Sequence, residues 1–158
     1  MNQKFGSDIG GVLVPLIFGS HRKTFDEEAF KKRQPRENAF SVLAKLAETV
    51  FGPSNIYLVS YCGLETERKT RVWLDHQGFH EITNIPVSNL YFCRDRAHKN
   101  PICAKLGITE FVDDRMPILQ SLETVPTRFW FNPKEDEVSS DPNIRTVHNW
   151  TEIAQCYL

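Results

Sequence analysis

The side chains in this sequence that are best suited to chemistry follow short apolar runs. Four positions share this setting: Asp8, Ser60, Lys99 and the pair Asp113-Asp114. A carboxylate can act as a nucleophile, and hydroxyl and ammonium groups can bind an anion. Adjacent carboxylates after a buried run repel each other and suit a site that supplies a cation. These residue types together could bind an anionic group beside a metal ion, and the carboxylate could attack that anionic group.

A parallel sheet would bring these positions together, and the sequence predicts one. Apolar strand-like runs occupy residues 55–60, 89–93, 109–112 and 127–131. Amphipathic or capped helical patterns occupy residues 36–51, 64–76, 101–107, 116–122 and 150–157. Strands that alternate with helices predict an α/β fold with a parallel sheet covered by helices on both faces. Ligands bind at the carboxyl ends of such strands, so we expect the four positions to converge on one edge.

Each of these residues also has a simpler structural interpretation. Asp8 precedes a glycine pair, a common turn sequence. Ser60 could cap the helix that follows it, and Asp114 could cap the helix at residue 116. Lys99 could be a solvated surface lysine. The combination indicates function more strongly than any one position does.

The order and spacing of the four positions resemble the haloacid dehalogenase-like (HAD) superfamily of phosphatases and phosphotransferases. The resemblance runs from Lys4 to about Phe131. Its motifs are residues 8–12 (DIGGV), residues 57–60 (YLVS), Lys99 before Asn100-Pro101, and residues 111–114 (FVDD). The resemblance implies a three-layer Rossmann-like sheet within a single domain over residues 1–158. Asn100 and Pro101 are predicted to be the cap and first residue of the helix after Lys99.

The resemblance implies a covalent mechanism with a metal cofactor. Asp8 would attack phosphorus, form an aspartyl-phosphate and contact Mg²⁺. The backbone carbonyl of Gly10 would be a further metal ligand. Asp113, Asp114 or both would hold Mg²⁺ directly or through water.

The resemblance also implies how the phosphate is bound. Lys99 would offset the negative charge of Asp8 and of the transferring phosphoryl group. Ser60 would donate its hydroxyl to a phosphate oxygen. The backbone N–H groups of Ile9 and Gly10 would complete the phosphate site.

The sequence departs from the family pattern at Gly10. Family phosphatases place a second aspartate there, which protonates the leaving alcohol and then activates water. Its loss costs about 10²–10⁴ in rate. We therefore expect a slow phosphatase with a substitute acid, a different reaction on the same scaffold, or a protein that binds phosphorylated ligands without turnover. His21 and Asp26 are the candidate substitute acids.

The predicted insert at residues 15–35 is short, and so is the segment from Gly78 to Ser88. We therefore expect a site that no cap domain of the same chain covers. Its phosphorylated substrate would be a small molecule or a macromolecule, and an oligomer partner could supply a cap. The segment Cys93-Arg94-Asp95-Arg96 adds cations beside Lys99 that could bind a second anionic group. An ion-paired exposed loop is the alternative.

Composition excludes several classes of protein. The 158 residues fit one domain, and the net charge of −1 gives no nucleic-acid signal. The longest apolar run is too short for a membrane span, and we expect no signal peptide. The four cysteines lack metal or redox spacing, which predicts reduced thiols and a cytoplasmic location. A nucleotide-binding loop is disfavoured because neither GxGxxG nor GxxxxGK[ST] occurs.

Overall fold

The sheet is parallel throughout the part of the chain that the structure, a computed structural model, describes: residues 2–16, 27–134 and 137–158. Its six strands are β1 (Phe5–Ser7), β2 (Ile56–Tyr61), β3 (Leu90–Cys93), β4 (Glu110–Asp113), β5 (Thr127–Phe131) and β6 (Ile144–Val147). They lie in the order β3-β2-β1-β4-β5-β6, and every neighbouring pair is parallel. The order reverses between β1 and β4, where doubly wound α/β folds form their ligand crevice.

Seven α-helices lie within the described ranges, six of them between strands and the last one after β6. They are α1 (Glu27–Lys31), α2 (Ala39–Leu46), α3 (Leu64–His76), α4 (Phe79–Thr83), α5 (Lys99–Leu106), α6 (Met116–Ser121) and α7 (Trp150–Tyr157). A π-helical turn, Ala47–Phe51, extends α2. None of these described helices has the length and apolar character that a membrane span requires.

Two apolar clusters lie on opposite faces of the sheet, as the alternation of side chains along a strand requires. In β2, Ile56 and Leu58 belong to the larger cluster, which includes residues of α2 and α7. Tyr57 and Val59 belong to the smaller cluster, which includes residues of α5 and α6. Both faces of the sheet are therefore covered, and the predicted three-layer α/β fold is confirmed.

Most predicted elements are present, and their ends show the largest differences. Helix α3, strand β5 and helix α7 have the predicted bounds. Helix α2 begins at Ala39 rather than at residue 36 because Asn38 has a left-handed backbone with φ of 65°. Helices α1 and α4 and strand β6 were not predicted.

The predicted start of α5 at Asn100-Pro101 was wrong. A 3₁₀ turn, Arg96–His98, leads directly into the helix, whose first residue is Lys99. The carboxylate of Asp95 caps that turn by accepting a hydrogen bond from the N–H of Ala97 at 2.9 Å. Pro101 then lies in the first helical turn, where its missing N–H leaves no helical bond broken.

The predicted insert at residues 15–35 is described only in part. Helix α1 lies in its second half, and the candidate acids His21 and Asp26 lie outside the described residues. The assignment of the whole chain to one domain stays a prediction. All four cysteines are free thiols, as predicted: Cys62, Cys93, Cys103 and Cys156.

Candidate active site

The carboxyl ends of the two central strands bring the predicted acidic residues together. Asp8 directly follows β1, and Asp113 is the last residue of β4. The N–H of Asp8 donates to the carbonyl of Val112 at 2.9 Å, which extends the pairing of the two strands by one residue. Asp114 follows at once, and carboxylate oxygens of the three aspartates lie within 4.8 Å of one another.

Lys99 projects from the first turn of α5 and links two of these carboxylates. Its Nζ donates to Asp113 Oδ2 at 2.9 Å and lies 3.1 Å from Asp8 Oδ1. The exposed fractions are 2% for Lys99, 8% for Asp8 and 0% for Asp113. Burying an unpaired charge is costly, so this arrangement depends on the pairing. The interpretation of Lys99 as a solvated surface residue was wrong.

The charges in this cluster shift the protonation of its members. Burial alone would lower the pKa of Lys99, but the carboxylates of Asp8 and Asp113 outweigh it and raise that pKa above its usual value. Burial, followed by the charge of Asp8, raises the pKa of both Asp113 and Asp114. Lys99 is thus held as an ammonium group, while the carboxylates lack enough positive charge among the neighbouring side chains.

The residues of this cluster fit a hard divalent cation. Asp114 Oδ1 is buried and has no hydrogen-bond partner among the described residues. Asp114 Oδ2 lies 2.2 Å from the position that a Cβ at Gly11 would take, so glycine is needed for the carboxylate to approach the backbone. Gly11 also has φ of 85°, which favours glycine. An all-oxygen set of crowded carboxylates is the donor set that Mg²⁺ prefers.

Three consecutive carbonyls hold the loop after Asp8 in place. The carbonyl of Gly11 accepts a bond from Arg36 Nε at 3.0 Å, and that of Val12 accepts one from Trp150 Nε1 at 2.9 Å. The carbonyl of Leu13 accepts a bond from the N–H of Arg36 at 2.7 Å. Arg36 and Trp150 could not be predicted as site residues, because both are remote from the motifs and bond to backbone atoms.

Ser60 lies inside β2 rather than at its end, and it lines the cleft beside Asp8. Burial raises the pKa of the Cys62 thiol, and the neighbouring Ser60 side chain opposes this shift. The helix after β2 is capped by Gly63, so the interpretation of Ser60 as a helix cap was wrong. Asp114 is not a cap either, because the N-cap of α6 is Arg115.

The site opens into a cleft of about 600 Å³. Its predicted site residues are Asp8, Ile9, Gly10, Ser60, Lys99 and Asp113. Its further basic residues are Arg33, Lys69, Arg94, Arg96 and Arg115. Among the residues that the structure describes, Asp8 and Asp113 are the only carboxylic acids in the lining, and no histidine lines it. Apart from these two aspartates, the described lining therefore offers no carboxylic acid or histidine to replace a general acid at position 10.

Comparison with known proteins supports the fold. No protein-family model matches the sequence, and no curated protein matches it. A protein described as a haloacid dehalogenase-like hydrolase, from Burkholderia xenovorans LB400, has a similar structure with a TM-score of 0.67 and 11% identity, covering 99% of this chain and 96% of that one. The D,D-heptose 1,7-bisphosphate phosphatase of Burkholderia thailandensis has a TM-score of 0.64 and 9% identity, covering 99% and 98%. Together with the motif positions, these similarities confirm that the chain has the haloacid dehalogenase-like fold.

Proposed function

We propose that this chain is a Mg²⁺-dependent phosphoester hydrolase that works through an aspartyl-phosphate at Asp8. The observation that carries the proposal is the buried contact of Lys99 with both Asp8 and Asp113 at the carboxyl ends of the central strands. A lysine buried between two carboxylates is a costly arrangement, and perturbed charges of this kind cluster at functional sites. The HAD-like hydrolase and phosphatase structures that share the fold support the same reaction class.

Asp8, Asp113, Asp114 and the carbonyl of Gly10 would hold the metal. When bound, Mg²⁺ supplies positive charge between the nucleophile and the phosphoryl group. Lys99, whose Nζ lies 3.1 Å from Asp8 Oδ1, offsets the charge of the carboxylate and adds positive charge as the phosphoryl group transfers. Ser60 and the N–H groups of Ile9 and Gly10 would orient the phosphate oxygens.

The reaction would proceed in two displacements. A carboxylate oxygen of Asp8 forms a bond to phosphorus while the ester P–O bond breaks, and the leaving oxygen keeps the bonding electron pair. Water then attacks the phosphorus of the aspartyl-phosphate, which releases inorganic phosphate and restores the carboxylate. Gly10 cannot exchange a proton in either step, so solvent supplies the proton for the leaving alcohol. Phosphoesters with good leaving groups are therefore the favoured substrates.

A phosphatase assay on p-nitrophenyl phosphate with Mg²⁺ tests the proposal. Asp8→Asn should abolish turnover, while Asp75→Asn makes the same change on the exposed surface of α3 and should leave it unchanged. Chelation of Mg²⁺ should also abolish turnover. Equal activity in wild type and Asp8→Asn would refute the assignment of the nucleophile.

The absence of a carboxylate at position 10 favours a second candidate, a catalytically impaired protein that binds metal and phosphate or a protein partner. The two functions differ in their outcomes. No turnover on any phosphomonoester, with Mg²⁺ binding intact and a co-purifying partner, would support the second. A slow but Asp8-dependent rate supports the first, and loss of that rate in His21→Ala or Asp26→Ala would identify a substitute acid.

A further inference from the structure

We propose that the substrate is a small compound with a second anionic group, a phosphate or a carboxylate, which the arginines of the β3–α5 segment bind. The inference rests on the proposed function for the position of the transferring phosphoryl group. Arg94 and Arg96 belong to this segment, and both line the cleft. We refer to these two residues as the outer cation cluster.

The charge of the cleft differs from that of the whole chain. The sequence has 19 basic and 20 acidic residues, yet among the described residues six basic side chains line the cleft against two acidic ones. Lys99 is already engaged by Asp8 and Asp113. A bound Mg²⁺ would offset the two negative charges by which Asp8, Asp113 and Asp114 exceed Lys99. Arg94, Arg96 and Arg115 would then face the cleft with three positive charges against the two negative charges of a phosphoryl dianion.

Arg94 is held in position rather than neutralised. Its Nη2 lies 2.6 Å from Glu67 Oε1, and its Nη1 donates to the carbonyl of Cys62 at 3.3 Å. Glu67 is shared, because its other oxygen lies 2.9 Å from Arg71 Nε. One carboxylate between two guanidinium groups leaves a local excess of positive charge. An arginine fixed in this way loses little conformational freedom when it binds an anion.

Arg96 adds a second cation at the same rim. Its Cζ lies 6.0 Å from the centroid of the Tyr61 ring, and no carboxylate is paired with it within the described ranges. The ring orients the guanidinium by a cation–π contact without removing its charge. Arg94 and Arg96 thus offer oriented N–H donors to an anion bound farther out than Lys99.

The size of the cleft selects among polyanions. A volume of about 600 Å³ is typical of sites for small molecules, which occupy about 300–1,000 Å³. A small compound with two anionic groups can place one at the aspartate cluster and the other at the outer cation cluster. We therefore favour a small bis-anion over a phosphorylated macromolecule.

Binding of non-hydrolysable probes tests the inference without requiring turnover. Calorimetry at fixed Mg²⁺ and ionic strength would compare butylphosphonate with butane-1,4-bisphosphonate on the full chain. We expect the bisphosphonate to bind at least about tenfold more tightly, which corresponds to about 1.4 kcal/mol. In the double variant Arg94→Gln/Arg96→Gln this affinity ratio should fall below about threefold. The control Lys45→Gln/Arg145→Gln removes two exposed positive charges outside the cleft and should keep the wild-type ratio.

Each other outcome overturns the inference. A wild-type ratio below about two, a ratio unchanged by loss of the two arginines, or an equal loss in the control would each do so. Tighter binding of a 5′-phosphorylated oligonucleotide than of the bisphosphonate would replace the small bis-anion with a nucleic acid. Failure of the proposed function is seen separately, in Asp8-dependent turnover of p-nitrophenyl phosphate.

Discussion

Restoring a carboxylate at position 10 is the sharpest test of how this site works. A Cβ added to Gly10 would lie 3.3 Å from Leu16 Cδ2, the flexible end of a side chain, so a shift of a few tenths of an ångström accommodates it. The backbone of Gly10 is outside the positive-φ region. Gly10→Asp is therefore compatible with the fold, and its carboxyl group would supply the missing proton donor and acceptor.

We expect Gly10→Asp to raise kcat by about 10²–10⁴ on alkyl phosphates, since general acid–base catalysis contributes that much. The gain should be much smaller on p-nitrophenyl phosphate, because its leaving group departs without protonation. The fourth carboxylate would also increase repulsion in the acidic cluster, so the Mg²⁺ concentration needed for half-maximal rate serves as a second readout.

Two variants control this prediction. Gly10→Asn has nearly the same shape without an acid and should give no gain. Gly11→Asp should abolish activity, because Gly11 has φ of 85° and its Cβ would lie 2.2 Å from Asp114 Oδ2. Steady-state rates on alkyl and aryl phosphates would be measured for each variant. A folded, Mg²⁺-binding Gly10→Asp protein with no gain on alkyl phosphates would refute the view that the missing acid limits the rate.

Four further predictions address the metal, the buried lysine, the loop and pH. Asp114→Asn should weaken Mg²⁺ binding by about tenfold or more in calorimetry, because it removes one charge from the donor set. Lys99→Met should lower the free energy of unfolding by about 3–5 kcal/mol in urea titration, since it leaves two carboxylates buried without their cation. Trp150→Phe should lower the free energy of unfolding by about 1–3 kcal/mol and also lower kcat, because the buried carbonyl of Val12 loses its hydrogen-bond donor. An unchanged kcat would show that this bond does not position the loop. Burial raises the pKa of Glu110, so ionisation of this carboxyl group destabilises the folded state as pH rises above the unfolded pKa of about 4.3. Glu110→Gln should increase the free energy of unfolding by on the order of 1 kcal/mol at pH 8 and by little at pH 4. An equal increase at both pH values would contradict this pH dependence.

The central elements of the fold could be predicted because their patterns are local. The first four residues of β2 and the last three of β5 are apolar runs of the kind that strands buried on both faces show. β6 was not predicted because it is short and not uniformly apolar: Ile144 and Val147 are buried, but Arg145 between them is exposed at the edge of the sheet. α4 has five residues, too few to show a helical period.

The charged centre of the site could be predicted, but its supports could not. Asp8, Lys99 and Asp113 lie at strand or helix ends that the motifs identify, and the structure brings them into contact. The bonds from Arg36 and Trp150 to loop carbonyls depend on side-chain placement across the layers of the fold. Backbone carbonyls occur at every residue, so the sequence does not mark which of them will accept such a bond.

The bond from Trp150 to the carbonyl of Val12 joins positions 138 residues apart. Contacts of such long range form late, since the loop between them must close before they contribute stability. During synthesis, the loop beside Asp8 emerges first but lacks this donor until α7 has been made and has packed against the sheet. The order of synthesis therefore makes the final form of the loop after Asp8 depend on α7, and a chain that lacks α7 would present the aspartates without this support.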